Sequence, residues 1–154
     1  MDFKAFIEAV RIETKPITLR GQKAWVRNLS ALEVKECVQL AEKWNTAREK
    51  KLGVKEMEDF TVPVESKDKP GTTIDLKVNP GQVAYLLMAK AVICLSNENG
   101  KPIFTEIKQI EELVMGDGKL QESEVREINK VLNSFEEKKE TEETEKKDSG
   151  DEKN

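Results

Sequence analysis

The chain has 154 residues, no histidine and two cysteines, and its 26 basic residues stand against 30 acidic ones. The lack of histidine removes the commonest general base, the usual serine or cysteine triads and most zinc sites. Of the charged residues, 5 basic and 9 acidic fall in residues 136–154, leaving 21 of each in residues 1–135; a body without net charge has no electrostatic footprint for phosphates, so nucleic acid is not expected as a partner.

The length suits one folded domain over residues 1–135. The opening MDFKAFIEAV has too few basic residues and too short an apolar run for a secretory signal. No apolar segment reaches the roughly 20 residues that a membrane-spanning helix needs. A cytoplasmic protein without membrane partners is therefore expected. Cys37 and Cys94 fall on apolar helix faces and read as small core residues rather than a disulfide.

In chain order, Phe3, Phe6, Ile7 and Val10 share one face of a short amphipathic helix over residues 2–10. Residues 17–19 and 24–26 flank Arg20, Gly21, Gln22 and Lys23, where a Gly-X pair predicts a type II′ turn. Pairing Arg20 with Lys23 sets Ile17 opposite Val26 and Leu19 opposite Ala24 on a dry face, with Thr18 and Trp25 on the other. Ser30 and Glu33 then fit a capping box. Behind it Val34, Cys37, Val38, Ala41 and Trp44 keep helical spacing, and Lys35, Glu36, Gln39, Glu42 and Lys43 fill the opposite side. That helix should run to about residue 51 and stop at Gly53.

Residues 48–78 read as an insertion, either a second hairpin or a flap. Phe60, Val62 and Val64 alternate, as do Ile74, Leu76 and Val78, around the turn-rich SKDKPG. Pro63 is expected to deny one ladder bond and make its strand an edge. Asn79 and Pro80 then open a helix, with Gln82 placed to reach back to the cap. From Val83 to Leu95 nearly every residue is apolar, so this helix should lie inside the fold. Asn97, Asn99, Gly100 and Pro102 end it.

Ile107, Ile110, Leu113 and Val114 form one face of a helix begun by Thr105 and ended by Gly116, Asp117 and Gly118. Val125, Ile128, Leu132 and Phe135 mark a last helix. Residues 136–154 contain no large apolar side chain and are expected to be a disordered charged tail. The fold class expected is α+β, mainly α: a small helical domain with one or two β-hairpins and a disordered C-terminal tail.

Few motifs carry chemistry. Asn97, Asn99, Gly100 and Glu106 fall at the third, fifth, sixth and twelfth places of a calcium loop, but Leu95 stands at the first, so a turn is expected and no metal site. Residues 116–118 lack the preceding strand and third glycine of a dinucleotide site, and no cofactor is expected. The carboxylates lie on predicted solvent faces, unsuited to acid–base work. No catalytic residue is assigned. Trp25, Trp44, Phe60 and Tyr85 are the candidate protein-binding anchors, each equally suited to packing inside the domain.

Two blocks in order resemble a known family. Residues 21–33, GQKAWVRNLSALE, resemble the opening hairpin and first long helix of the small tail assembly chaperones of long-tailed phages and prophages. There a hairpin strand ends in Val-Arg, a Leu-Ser or Leu-Thr-Ala step follows, and an acidic residue opens the helix. Residues 89–105, AKAVICLSNENGKPIFT, look like the second block, an apolar helix running into a polar turn. The insertion over residues 51–78 is longer than the family's connection, and the charged tail is an addition. The resemblance implies a non-enzymatic protein of the bacterial host cytoplasm. Its partners would be the tape measure protein, which it keeps soluble during tail assembly, and the tail tube protein, with weak self-association. The alternative is a cytoplasmic adaptor or regulatory module that binds one folded partner through residues 107–135.

Overall fold

The computed structural model describes residues 2–5, 12–53, 59–66 and 68–151, with side chains through residue 136. The fold is α+β and mainly helical, with two small antiparallel sheets. Its backbone groups into two compact units, residues 1–30 with 91–154 and residues 31–90. No helix among the described residues is long and apolar enough to cross a membrane.

The first unit is built on a three-stranded sheet of order β1 (Thr14–Leu19), β2 (Gln22–Arg27) and β5 (Leu95–Ser96). The expected hairpin is present, but its turn is one residue earlier: Leu19 pairs with Gln22, Ile17 with Ala24 and Lys15 with Val26. Arg20 and Gly21 both have positive φ, +50° and +74°, which makes a type I′ turn in place of type II′. The partners shift by two residues, so the faces survive. Ile17, Ala24 and Val26 are buried, Thr18 is exposed and Trp25 is half-buried.

Arg20 takes the left-handed backbone that the first central position of a type I′ turn requires, and its side chain is tied to the last helix. Nε and Nη2 donate to the two carboxylate oxygens of Glu124, at 3.1 and 3.0 Å, and the same guanidinium reaches the carbonyls of Gly118 and Lys119. Glu124 also accepts from the Gln121 amide at 3.0 Å, as an acidic residue at the third helical position does in a capping box. It thereby starts the last helix, Glu122–Asp151. That helix packs against β1 and β2 and buries Val125, Ile128, Leu132 and Phe135, the stripe expected from spacing. Lys15 reaches across to donate to Ser134 at 2.6 Å and lies 4.6 Å above the Phe135 ring. The tail expected at residues 136–154 falls, beyond residue 136, outside the described side chains.

Strand β5 was hidden in an apolar run that reads as helix. The Arg27 amide donates to Cys94 at 2.9 Å and Leu95 pairs with Val26, so the run leaves the helix to fill the open edge of β2. Asn97 ends it by accepting from the amides of Asn99 and Lys101 with its side-chain oxygen. The helix Ile107–Met115 begins at Glu106 rather than Thr105, with the Gln109 side chain accepting from both of their amides at 3.4 Å. Ile110 and Val114 are buried, Leu113 is half-buried and Ile107 is exposed. At the N-terminus residues 3–5 are helical, and the rest of the expected helix over residues 2–10 lies outside the described residues.

The second unit begins with α1 (Ala31–Leu52), which ends before Gly53 as expected. It buries Cys37, Ala41, Trp44 and Asn45, while Val38 on the predicted inner face stays exposed. A two-stranded sheet follows, β3 (Phe60–Glu65) with β4 (Thr73–Val78), and residues 54–58 and 67 of the insertion lie outside the described residues. Next comes α2 (Pro80–Ile93), whose residues 91–93 group with the first unit. The expectation that α2 is buried throughout needs correction. Tyr85, Ala89, Ala91 and Val92 are buried, but Val83, Ala84 and Leu87 face solvent, because composition shows that a face is apolar and not whether anything covers it.

Asn79 joins these elements. Its side-chain oxygen accepts from the Gln82 amide at 3.1 Å, capping α2, and from Asn45 Nδ2 at 3.2 Å; its own Nδ2 donates to Asp59 at 2.8 Å. A side chain on Gly81 would meet the Asn45 carboxamide oxygen, so the Asn45 side chain would have to move away from its place beside Asn79.

Asn79→Ala is expected to lower unfolding stability by about 2 kcal/mol, about half from the lost cap and half from a buried Asn45 left short of a partner. Asn79→Ser should recover the cap alone. Urea titration checks both, and an unchanged midpoint for the alanine variant would remove the joint from the account. The Glu124 carboxyl is held below its ordinary range, first by the Arg20 hydrogen bond and then by the Gln121 amide. Its contribution is therefore present above the ordinary carboxylate value of about 4.3 and lost as pH falls through the lower folded value. Urea midpoints of wild type and Glu124→Gln should converge on acidification; a gap independent of pH would contradict an ionic origin.

Candidate protein-binding surface

Pairing in the second sheet sets Phe60 against Val78, Val62 against Leu76 and Val64 against Ile74. Opposed residues in an antiparallel pair share a face. All six therefore line one side, and Thr61, Pro63, Glu65, Thr73, Asp75 and Lys77 line the other. Alternation with β-branched and aromatic residues forms these strands, and the turn closes with Ser66 N donating to Thr72 O at 2.9 Å.

Among the described residues this apolar side has little cover. Phe60, Val62, Val64, Ile74 and Leu76 are each between 37% and 58% exposed. Isolated exposed apolar residues are ordinary, whereas a contiguous cross-strand set is a candidate interaction surface. A lone two-stranded hairpin is marginal in water. Here its base is fixed by polar contacts: Asp59 precedes β3, Asn79 follows β4, and Lys77 lies 3.3 Å from Asp59.

Pro63 was expected to cost a ladder bond. The Ser66–Thr72 bond makes residues 66 and 72 a hydrogen-bonded pair, so by alternation residue 63 turns its backbone outward. Proline there removes no ladder bond and blocks the outer edge instead.

The four anchors proposed from sequence do not form one surface. Trp44 and Tyr85 are 3% and 8% exposed and meet edge to face at 6.1 Å between ring centroids, inside the second unit. Trp25 is half-buried on the first hairpin, with the Lys23 ammonium 5.3 Å from its ring centroid. Phe60 alone stands on the exposed apolar face. Sequence reasoning noticed the alternation of Val62, Val64, Ile74 and Leu76 but did not assign it to binding. Alternation marks that face as apolar but carries no sign of whether another element covers it.

Nucleophilic chemistry finds little support at the thiols. Burial pushes Cys37 up to about 11, which keeps it protonated at neutral pH, and Cys94 is buried as well. No family model, curated protein or solved structure matches the chain.

The exposed face and the buried aromatic pair should separate in experiment. Ile74→Thr with Leu76→Thr keeps β-propensity and is expected to change stability by no more than about 0.5 kcal/mol per site, while reducing the binding of anilinonaphthalene sulfonate to the native chain. Trp44→Ala should cost about 3–5 kcal/mol. Dye titration with urea unfolding checks the contrast, and equal dye binding by wild type and the threonine variant would exclude the hairpin as the apolar surface.

Proposed function

We propose that this is a non-enzymatic protein-binding chaperone whose β3–β4 face shields apolar stretches of another protein. The single observation that carries the reading is the continuous apolar cross-strand face left open to solvent. From the pair at Phe60 to the pair at Val64 the face runs roughly 14 Å along the strands, the length of about nine helical residues. That suits one apolar stripe of an amphipathic helix with anchors at i, i+3, i+4 and i+7. Chemistry by this chain has weak support, since histidine is absent and the thiols are buried.

The resemblance of residues 21–33 and 89–105 to small phage tail assembly chaperones names the class of client. On this reading the chain binds the tape measure protein in the bacterial host cytoplasm and keeps it soluble until tail tube subunits polymerise around it. An adaptor that binds a folded partner through residues 107–135 has less support, because Ile110, Val114, Val125, Ile128, Leu132 and Phe135 are all buried.

Co-expression with the tape measure protein encoded alongside should give a complex that co-purifies and raise that protein's soluble fraction several-fold. Ile74→Thr with Leu76→Thr should abolish the gain while the chain stays folded. No complex and no gain in solubility would refute the proposal.

A further inference from the structure

The two outer edges of the β3–β4 sheet differ. With residues 66 and 72 forming a hydrogen-bonded pair, the backbone groups of residues 60, 62, 64, 74, 76 and 78 point into the ladder, and those of 61, 63, 65, 73, 75 and 77 point outward. The β3 edge is interrupted at its centre by Pro63, which has no N–H to donate. The β4 edge offers the outward N–H and C=O groups of Thr73, Asp75 and Lys77, all of them exposed and none of them proline.

We propose that the β4 edge pairs antiparallel with β4 of a second copy of this chain, about a two-fold axis at Leu76, to give a four-stranded sheet. Charge decides the register. A sheet centred on Asp75 would set that carboxylate against its own copy, which is unfavourable for directly opposed residues. Centring on Leu76 sets Asp75 opposite Lys77 of the second copy and Lys77 opposite Asp75 of the second copy. Both pairs belong to the outward-pointing set, so each exchanges two main-chain hydrogen bonds.

On the apolar side the same register brings Ile74 opposite Val78 of the second copy, and Leu76 opposite Leu76. The two apolar faces then join on one side of the sheet. The Lys77 side chain is 74% exposed beside Asp59, and its ammonium has three donors, so it can serve both carboxylates. Pro63 blocks both outer strands of the product. Assembly therefore closes at two copies and does not continue as a fibre. None of this depends on the identity of the client.

Sedimentation of the full chain tests the pairing. Its mass should rise with concentration from 17.5 kDa to twice that value. Asp75→Lys and Lys77→Asp should each remain at the mass of one chain where wild type has doubled. Mixing the two variants, or combining both substitutions in one chain, should restore the doubled mass, because each arrangement again opposes Lys with Asp. Hydrogen exchange on wild type supplies a readout that needs no variant: the Asp75 and Lys77 amides should gain protection with dimerisation, while the inward Leu76 amide is protected throughout. A single-chain mass at the highest soluble concentration would overturn the proposal. So would a dimer that tolerates both single reversals, or one in which the Asp75 and Lys77 amides exchange freely.

Discussion

The carboxamide of Asn79 is the joint on which the second unit depends. It sits where β4 becomes α2, and its oxygen satisfies both a helix N-terminal amide and the buried Asn45 of α1, while its nitrogen holds Asp59 ahead of β3. Three elements are thus referred to one side chain. A hairpin normally gains its place by burying an apolar face, and this one leaves that face open. Its position has to be fixed at the base by directional polar contacts.

The two hairpins show what that arrangement implies. β1–β2 is covered by the last helix, extended on one edge by β5, and held at its turn by Arg20. Ile17, Ala24 and Val26 are accordingly buried. β3–β4 has the same alternating chemistry, with larger apolar residues, and receives none of these covers among the described residues. Burial of such side chains is worth roughly 25 cal/mol per Å², so leaving five of them substantially exposed forgoes stability that folding could have used. Association with another surface recovers it, which is why the exposed face supports a binding role better than a structural one.

Much of this was legible in sequence because periodicity reports local geometry. The end of α1 at Gly53, the stripe Val125, Ile128, Leu132 and Phe135, and the capping oxygen of Asn79 all follow from spacing and side-chain chemistry. What failed depended on partners distant in sequence. A left-handed Arg20 follows from a turn one residue earlier than the Gly-X pair suggests, and its contact with Glu124, 104 residues on, has no local signal. Leu95 and Ser96 are too short a strand to have a period, and only the vacant edge of β2 explains them. The burial of Trp44 and Tyr85 agrees with the apolar faces read for their helices, whereas the exposure of Val83 and Leu87 beside them was invisible, since an apolar face carries no mark of what lies against it.

A protein that keeps an apolar sheet face in water must also control what its strand edges do, because unpaired backbone groups beside exposed valine, isoleucine and leucine invite open-ended association. Pro63 acts at that point. Placed one residue away along β3 it would have removed a ladder bond and weakened the hairpin; at 63 it leaves the ladder whole and closes one outer edge. The remaining edge carries Asp75 and Lys77 on the polar side, so its pairing is selected by charge as well as by backbone hydrogen bonding. The face therefore favours association in general, while the edges restrict its geometry, and these two requirements are met by residues that alternate along the same two strands.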